Sequence, residues 1–263
     1  MSFTIAIANQ KGGVAKTTSA ISLGGAFVQA GNQVLLIDLD PQADLTLAMG
    51  LDPRKVQDSI AEVLLSSGNL ASIARETVIP GLDLVPSSTE MNLAEQFLGI
   101  RNNYELILRN AIATHLPLNA YDYVILDCPP ALGTLTLNAL MSAQLLIIPT
   151  QPEYFSAYAL KSMLTAVKRA RSQGNSPLQY RILITMQDLR NRVHRNLSEE
   201  LRSTFGKGVL QTVIEIDTKV RESSIAGLPV THFFARTRSS LQYRALAQEL
   251  FEHVQETVAQ SVA

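Results

Sequence analysis

The strongest constraint on this chain is an alternation. Seven short apolar runs, at residues 3–8, 33–37, 82–86, 123–126, 145–149, 181–185 and 209–213, are separated by longer amphipathic segments. Unbroken Val/Ile/Leu runs suit strands covered on both faces, and amphipathic segments between them supply crossover helices. Helix starts are expected near Lys16, Asn92, Tyr104, Leu135, Ser156, Val193, Lys219 and Ser239. Crossovers of this kind are right-handed. The pattern therefore predicts an α/β fold: a doubly wound, mostly parallel sheet with helices on both faces. In 263 residues there is no repeat, low-complexity tract or Pro/Gly/Ser linker, so a single domain over 1–263 is expected.

Ligands on such sheets bind beyond the carboxyl ends of the strands. At the first of these ends the chain reads NQKGGVAKTT, between an apolar run and a helix. This is a variant of the phosphate-binding spelling G-x-x-x-x-G-K-[ST], with Gln10 in place of the first glycine and Ala15 directly before the lysine. Gly12 and Gly13 supply flexible backbone for N–H groups that point at phosphates, with Val14, Ala15 and Thr18 completing the cradle. Lys16 would reach the β/γ-phosphates, and the Thr17 hydroxyl would coordinate Mg²⁺. Ala15 adds one methyl, which an ordinary negative φ would tolerate.

Two further strand ends carry carboxylates. Asp38 and Asp40 follow the second run; two residues apart on extended chain, they share one face and both approach the phosphate site. Asp127 closes the run YVILD and has the form of a Walker B acid holding a magnesium-bound water. Cys128 beside it has no general base and reads as a packing residue. As the sole cysteine it excludes a disulfide framework and a Cys-rich metal site, and it suits a reducing compartment. His115, His194, His232 and His253 are too dispersed for a metal motif.

The second lysine of the loop, Lys11, gives K-G-G-x-x-K-T, and NQKGGVAKTT resembles the deviant Walker A loop of the ParA/MinD family of P-loop ATPases. DLDPQ resembles that family's switch I and DCPPALG its switch II. LLIIPTQPEYFSAYAL resembles the segment that puts Glu153 near a dimer face. ILITMQDLRN and TVIEIDTKVRESSIAGLPV resemble the strand ends flanking adenine, although Ile214-Glu215-Ile216-Asp217 stands where relatives usually read I-P-R-N. The resemblance implies ATP and Mg²⁺ as cofactors and an ATP-dependent homodimer in which Lys11 acts on the other subunit's nucleotide. It further implies catalytic roles for Lys11, Lys16 and Asp40, with Asp40 orienting the attacking water. Thr17, Asp127 and, from an outer position, Asp38 would attend the metal. Met186, Asp188, Glu215 and Asp217 would flank the base. Turnover would be slow and stimulated by a partner.

With a formal net charge of −1 the chain is no polycation, so nucleic-acid binding needs a local patch. Arg190, Arg192, Arg195, Lys219, Arg221, Arg236, Arg238 and Arg244 cluster in the C-terminal half. In ParA proteins such residues hold DNA without sequence preference. The resemblance thus implies a cytoplasmic, nucleoid-associated ATPase that segregates or spaces a cargo with a ParB-like or other adaptor protein. Two alternatives share the fold: a MinD-like membrane-site positioning ATPase and a metabolic ATP-dependent ligase. The acidic, polar C-terminus lacks the basic amphipathic face a membrane helix needs, so no membrane partner is expected. Iron–sulfur relatives are excluded by the cysteine count.

Overall fold

The computed structural model describes residues 2–154 and 156–262, with side-chain surroundings through residue 254. In chain order the first half runs β1 (Phe3–Ile7), α1 (Lys16–Gln29), β2 (Val34–Asp38), α2 (Asp44–Ala48), α3 (Ile60–Ser66), α4 (Leu70–Ile73), β3 (Arg75–Glu76) and β4 (Leu82–Val85). Next come α5 (Met91–Phe97), α6 (Ile107–His115), β5 (Tyr123–Asp127), α7 (Thr134–Ser142) and β6 (Leu145–Thr150). The remainder is α8 (Ser156–Ser172), β7 (Gln179–Gln187), α9 (Arg192–Phe205), β8 (Val209–Glu215), α10 (Thr218–Ile225), α11 (Val230–Phe233) and α12 (Arg238–Val262).

The strands form one sheet in the order β3-β4-β2-β5-β1-β6-β7-β8, parallel throughout except for β3 against β4. All seven expected strands are present. Five short elements escaped the pattern: α2, α3, α4, β3 and α11. Of these α3 carries a capping box that is visible as Ser59-x-x-Glu62.

Alternate residues of the buried strands feed two cores. Ile5 and Ile7 pack with α1 and α12, through Phe27, Tyr243 and Leu250. Ala6 and Ala8 pack on the opposite face with Leu64, Leu140 and Met163 from α3, α7 and α8. The α1 helix sits close because of Gly24 and Gly25. A Cβ on Gly25 would lie 2.6 Å from Thr231 Oγ1 and 2.7 Å from the Pro229 side chain; one on Gly24 would lie 2.9 Å from Leu36. Register does the rest: Ile7 pairs with Asp127 and Asp127 with Asp38, so the ends of β1, β2 and β5 finish level.

Candidate nucleotide site

The loop after β1 is moored on both sides. Buried Asn9 donates from Nδ2 to the Pro149 carbonyl at 2.7 Å, and its Oδ1 accepts the Lys11 N–H at 3.0 Å. Thr185 Oγ1, from β7, donates to the Val14 carbonyl at 3.0 Å. Gly12 and Gly13 are exposed between these moorings. Gly13 has φ 71° and Ala15 has φ 66°. The ordinary φ expected at Ala15 is therefore not found. In the left-handed region a Cβ crowds the following carbonyl at a cost of about 1–2 kcal/mol, which is the physical reason for the usual glycine there. Ala15 immediately precedes α1, whose first-turn N–H groups have no intrahelical acceptors and face an anion-binding position. Lys16 is only 8% exposed, and its Nζ lies 3.4 Å from the Lys11 carbonyl.

Asp38 and Asp127, paired in register, differ in what they touch. Asp38 is wholly buried, and its Oδ2 accepts from the Thr46 N–H at 2.8 Å and the Thr46 hydroxyl at 2.6 Å. Its Oδ1 accepts the Asp40 N–H at 3.1 Å. Burial pushes its carboxyl up to about 7 in spite of these donors. Asp127 is equally buried, yet neither carboxylate oxygen has a hydrogen-bond partner among the described residues. Burial, and then the neighbouring Asp38 charge, raise its pKa well above the ordinary range; the Thr17 hydroxyl and the Lys16 charge oppose the rise. Asp38, expected beside a metal, is thus committed to the protein's own donors, and Asp127 is the acid left open. Asp40 lies between, with Oδ1 accepting the Gln42 N–H at 2.9 Å; burial raises its carboxyl and Lys16 eases it. Cys128 is buried, with its thiol pKa pushed well up by burial, as a packing residue should be.

A cavity of about 530 Å³ runs from the loop and Asp40 to the far sheet end; Asp38 and Asp127 lie behind its wall. The loop residues Gly12, Gly13 and Ala15 to Thr18 form one wall with Asp40. Met186, Glu215, Asp217 and Arg221 form the other. Asp188 is not part of it: it faces a neighbouring cavity of about 390 Å³ and pairs with Arg190 at 3.1 Å. At the base end the acids are spent on structure. Glu215 accepts from Gln242 Nε2 at 2.8 Å and pairs with Arg238 at 3.0 Å. Asp217 caps α10 through the Lys219 N–H at 3.0 Å and holds the Ser239 hydroxyl at 2.9 Å. Both side chains thus line this wall while already bonded within the protein.

A family model described as an AAA domain matches residues 2–180. The chain is 33% identical over 258 residues to the chromosome partitioning protein ParA of Caulobacter vibrioides, covering 98% of this chain and 97% of the relative. It is 34% identical over 247 residues to the sporulation initiation inhibitor protein Soj of Bacillus subtilis, covering 94% and 97%. This chain belongs to the ParA/MinD family of ATPases. Among solved structures, cobyrinic acid a,c-diamide synthase from Mycobacterium smegmatis with bound ADP and magnesium superposes with a TM-score of 0.84 at 33% identity. That match covers 97% of this chain and 96% of the other.

Lys11 does not line this cavity; its ammonium is ion-paired with Glu153 in the loop after β6. The basic residues divide into three groups. Arg190, Arg238 and Lys219 are paired with Asp188, Glu215 and Glu222, and Arg195 is bonded to the Leu189 carbonyl. Arg192 and Arg236 are exposed. Arg221, grouped by charge pattern with the other basic residues, is exposed and lines the cavity. Reading the sequence missed Asn9, Thr46, Ser87 and Thr185, all buried polar residues that brace the site; Asn9 and Ser87 stand just beyond apolar runs, and Thr46 and Thr185 give no comparable signal. Among the described residues no helix is long and apolar enough to cross a membrane.

Proposed function

We propose that the protein is a ParA-type partition or positioning ATPase that dimerises with ATP, binds DNA without sequence preference and releases it on hydrolysis. The observation that carries this reading is the position of Lys11: an ammonium beside the P-loop yet outside its own cavity, available to a second copy.

The site fits ATP with Mg²⁺. Magnesium is usually held by one or two carboxylates together with substrate phosphates, so a three-acid cage is not needed. The buried, unpartnered Asp127 carboxylate beside Thr17 meets that requirement. When bound, Mg²⁺ neutralises phosphate charge and steadies the β- and γ-oxygens. The first-turn N–H groups of α1 and the Lys16 ammonium hold the phosphates, and Arg221 and the base wall close over the nucleoside. Asp40, raised by burial but eased by Lys16, orients the attacking water. In the ATP-bound dimer Lys11 exchanges Glu153 for the partner's phosphates, one anion for another. A cation supplied this way is worth about 10³–10⁵ in rate. DNA contacts are assigned to Arg190, Arg192, Arg195, Lys219, Arg236 and Arg238. Doubling the patch by dimerisation raises affinity through effective concentration. A ParB-like or other adaptor on the cargo stimulates hydrolysis, at the nucleoid.

Filter binding of duplex DNA with ATP, ADP or no nucleotide tests the reading. Retention only with ATP, falling with a slope of about −0.9 in log salt per phosphate neutralised, is the expected result. One relative bears the name of a synthase, which supports a second reading, an ATP-dependent ligase. ATPase activity that rises with an acid substrate and an amide donor, and ignores DNA, would favour it.

A further inference from the structure

Two buried hydroxyls at switch I belong to no phosphate-binding motif. Thr46 on α2 and Ser87 just beyond β4 are both 0% exposed. The Thr46 hydroxyl has both its directions fixed: it donates to Asp38 Oδ2 at 2.6 Å and accepts the Ser87 N–H at 2.9 Å. The Thr46 N–H donates to the same Asp38 oxygen at 2.8 Å. Ser87 Oγ in turn donates to the main-chain carbonyl of Asp40 at 2.8 Å, and the Ala43 N–H donates to that carbonyl at 2.9 Å. On its other side Asp40 gives its own N–H to Asp38 Oδ1 at 3.1 Å. Pro41 follows and biases Asp40 towards extended backbone.

Both main-chain polar groups of Asp40 are therefore held, one by Asp38 and one by Ser87, and Thr46 locks those two holders together. The nine-residue turn 38–46 is closed on itself and bolted to the end of β4. A carboxylate that orients a water gains rate from being fixed before the water arrives, and a misplacement of about 1 Å can cost about 10²-fold.

We propose that Thr46 and Ser87, acting through Asp38, are positioning residues for hydrolysis: a clasp that holds the Asp40 main chain and so aims its carboxylate. The proposal rests on the ATPase reading above. It assigns Asp38 to the organisation of switch I rather than to the metal. Because neither hydroxyl lines the cavity, the clasp acts on turnover and leaves nucleotide affinity nearly untouched.

The test uses Thr46→Val, an isostere without the hydroxyl, Thr46→Ser, which keeps it, and Ser87→Ala. Single-turnover hydrolysis should fall at least about tenfold in Thr46→Val and Ser87→Ala, with ATP dissociation constants within about threefold of wild type. Thr46→Ser should hydrolyse within about threefold of wild type. Unchanged hydrolysis in folded Ser87→Ala, or hydrolysis and affinity falling in parallel, would overturn the clasp. Should Thr46→Val fail to fold, Ser87→Ala decides alone. Amide hydrogen exchange over residues 40–46 in nucleotide-free protein supplies a readout independent of activity. Faster exchange in Ser87→Ala is expected, and wild-type protection in that variant would refute the clasp. A wild-type protein with no ATPase activity would count against the proposed function, and the exchange comparison would still judge the clasp.

Discussion

The two ends of the nucleotide cavity are built on opposite plans. At the phosphate end, chemistry-bearing groups are left open. Among the described residues neither Asp127 oxygen has a hydrogen-bond partner within normal geometry, Lys16 Nζ lies 3.4 Å from the Lys11 carbonyl, and the first-turn N–H groups of α1 have no intrahelical acceptor. At the other end the acids are closed: Glu215 is held by Arg238 and Gln242, and Asp217 caps a helix. A buried charged group without a partner is costly, and at Asp127 a bound cation would offset that cost. The contrast thus separates residues that meet the ligand from residues that merely shape its walls, although all of them stand at strand ends.

Substitutions at the two ends should behave differently, and Lys16→Ala is expected to show the largest effect. Removing the buried ammonium should weaken ATP binding at least about a hundredfold by calorimetry, since hydrogen bonds to charged groups carry about 1.5–3 kcal/mol each and Lys16 faces several phosphate oxygens. Asp127→Asn should cut hydrolysis at least about tenfold and raise the magnesium concentration needed for half-maximal rate. Glu215→Gln, at the closed end, should leave turnover within about threefold while slightly lowering the melting temperature, because it weakens an ion pair whose arginine is half exposed. Equal kinetic damage from Asp127→Asn and Glu215→Gln would erase the distinction.

A pH series sharpens the same comparison. Asp38 has a folded pKa near 7 against an ordinary value of 3.8, so between those values the folded protein binds more protons than the unfolded one. Stability from this group is complete below pH 4 and is lost as pH rises through about 7. In chelator, the melting temperature should therefore fall from pH 5 to pH 8, and Asp38→Asn should flatten the slope. A rising curve would contradict the burial argument. The smallest effect belongs to Ala15→Gly, which relieves the left-handed alanine and should stabilise the protein by about 1 kcal/mol in urea unfolding.

The fold was legible wherever apolar runs were long enough to be buried on both faces, and the eight expected helix starts lie within three residues of those observed. The strand β7 extends beyond its expected bounds because its half-buried ends, Gln179 to Arg181 and Met186, break the apolar pattern. Elements of two to seven residues, such as β3 and α4, carry too few positions to show a period. At the site, motif residues were legible because the backbone geometry that holds phosphate demands particular side chains. Their supports were not. Thr46, Ser87 and Thr185 become partners only when strands far apart in sequence come into register, and the positive φ at Ala15 is invisible in a one-letter code. Charge pattern alone did not show that Arg221 also lines the cavity, since a run of basic residues does not say which way each one faces.

The central claim is that Lys11 serves a neighbouring active site, and complementation tests it directly. Lys11→Ala subunits keep a working phosphate loop, and Lys16→Ala subunits keep a Lys11 to lend. Each alone should be inactive, and their mixture should recover measurable ATP hydrolysis together with an ATP-dependent dimer by light scattering. A mixture as inactive as its components, from a wild-type protein that stays monomeric with ATP, would contradict it.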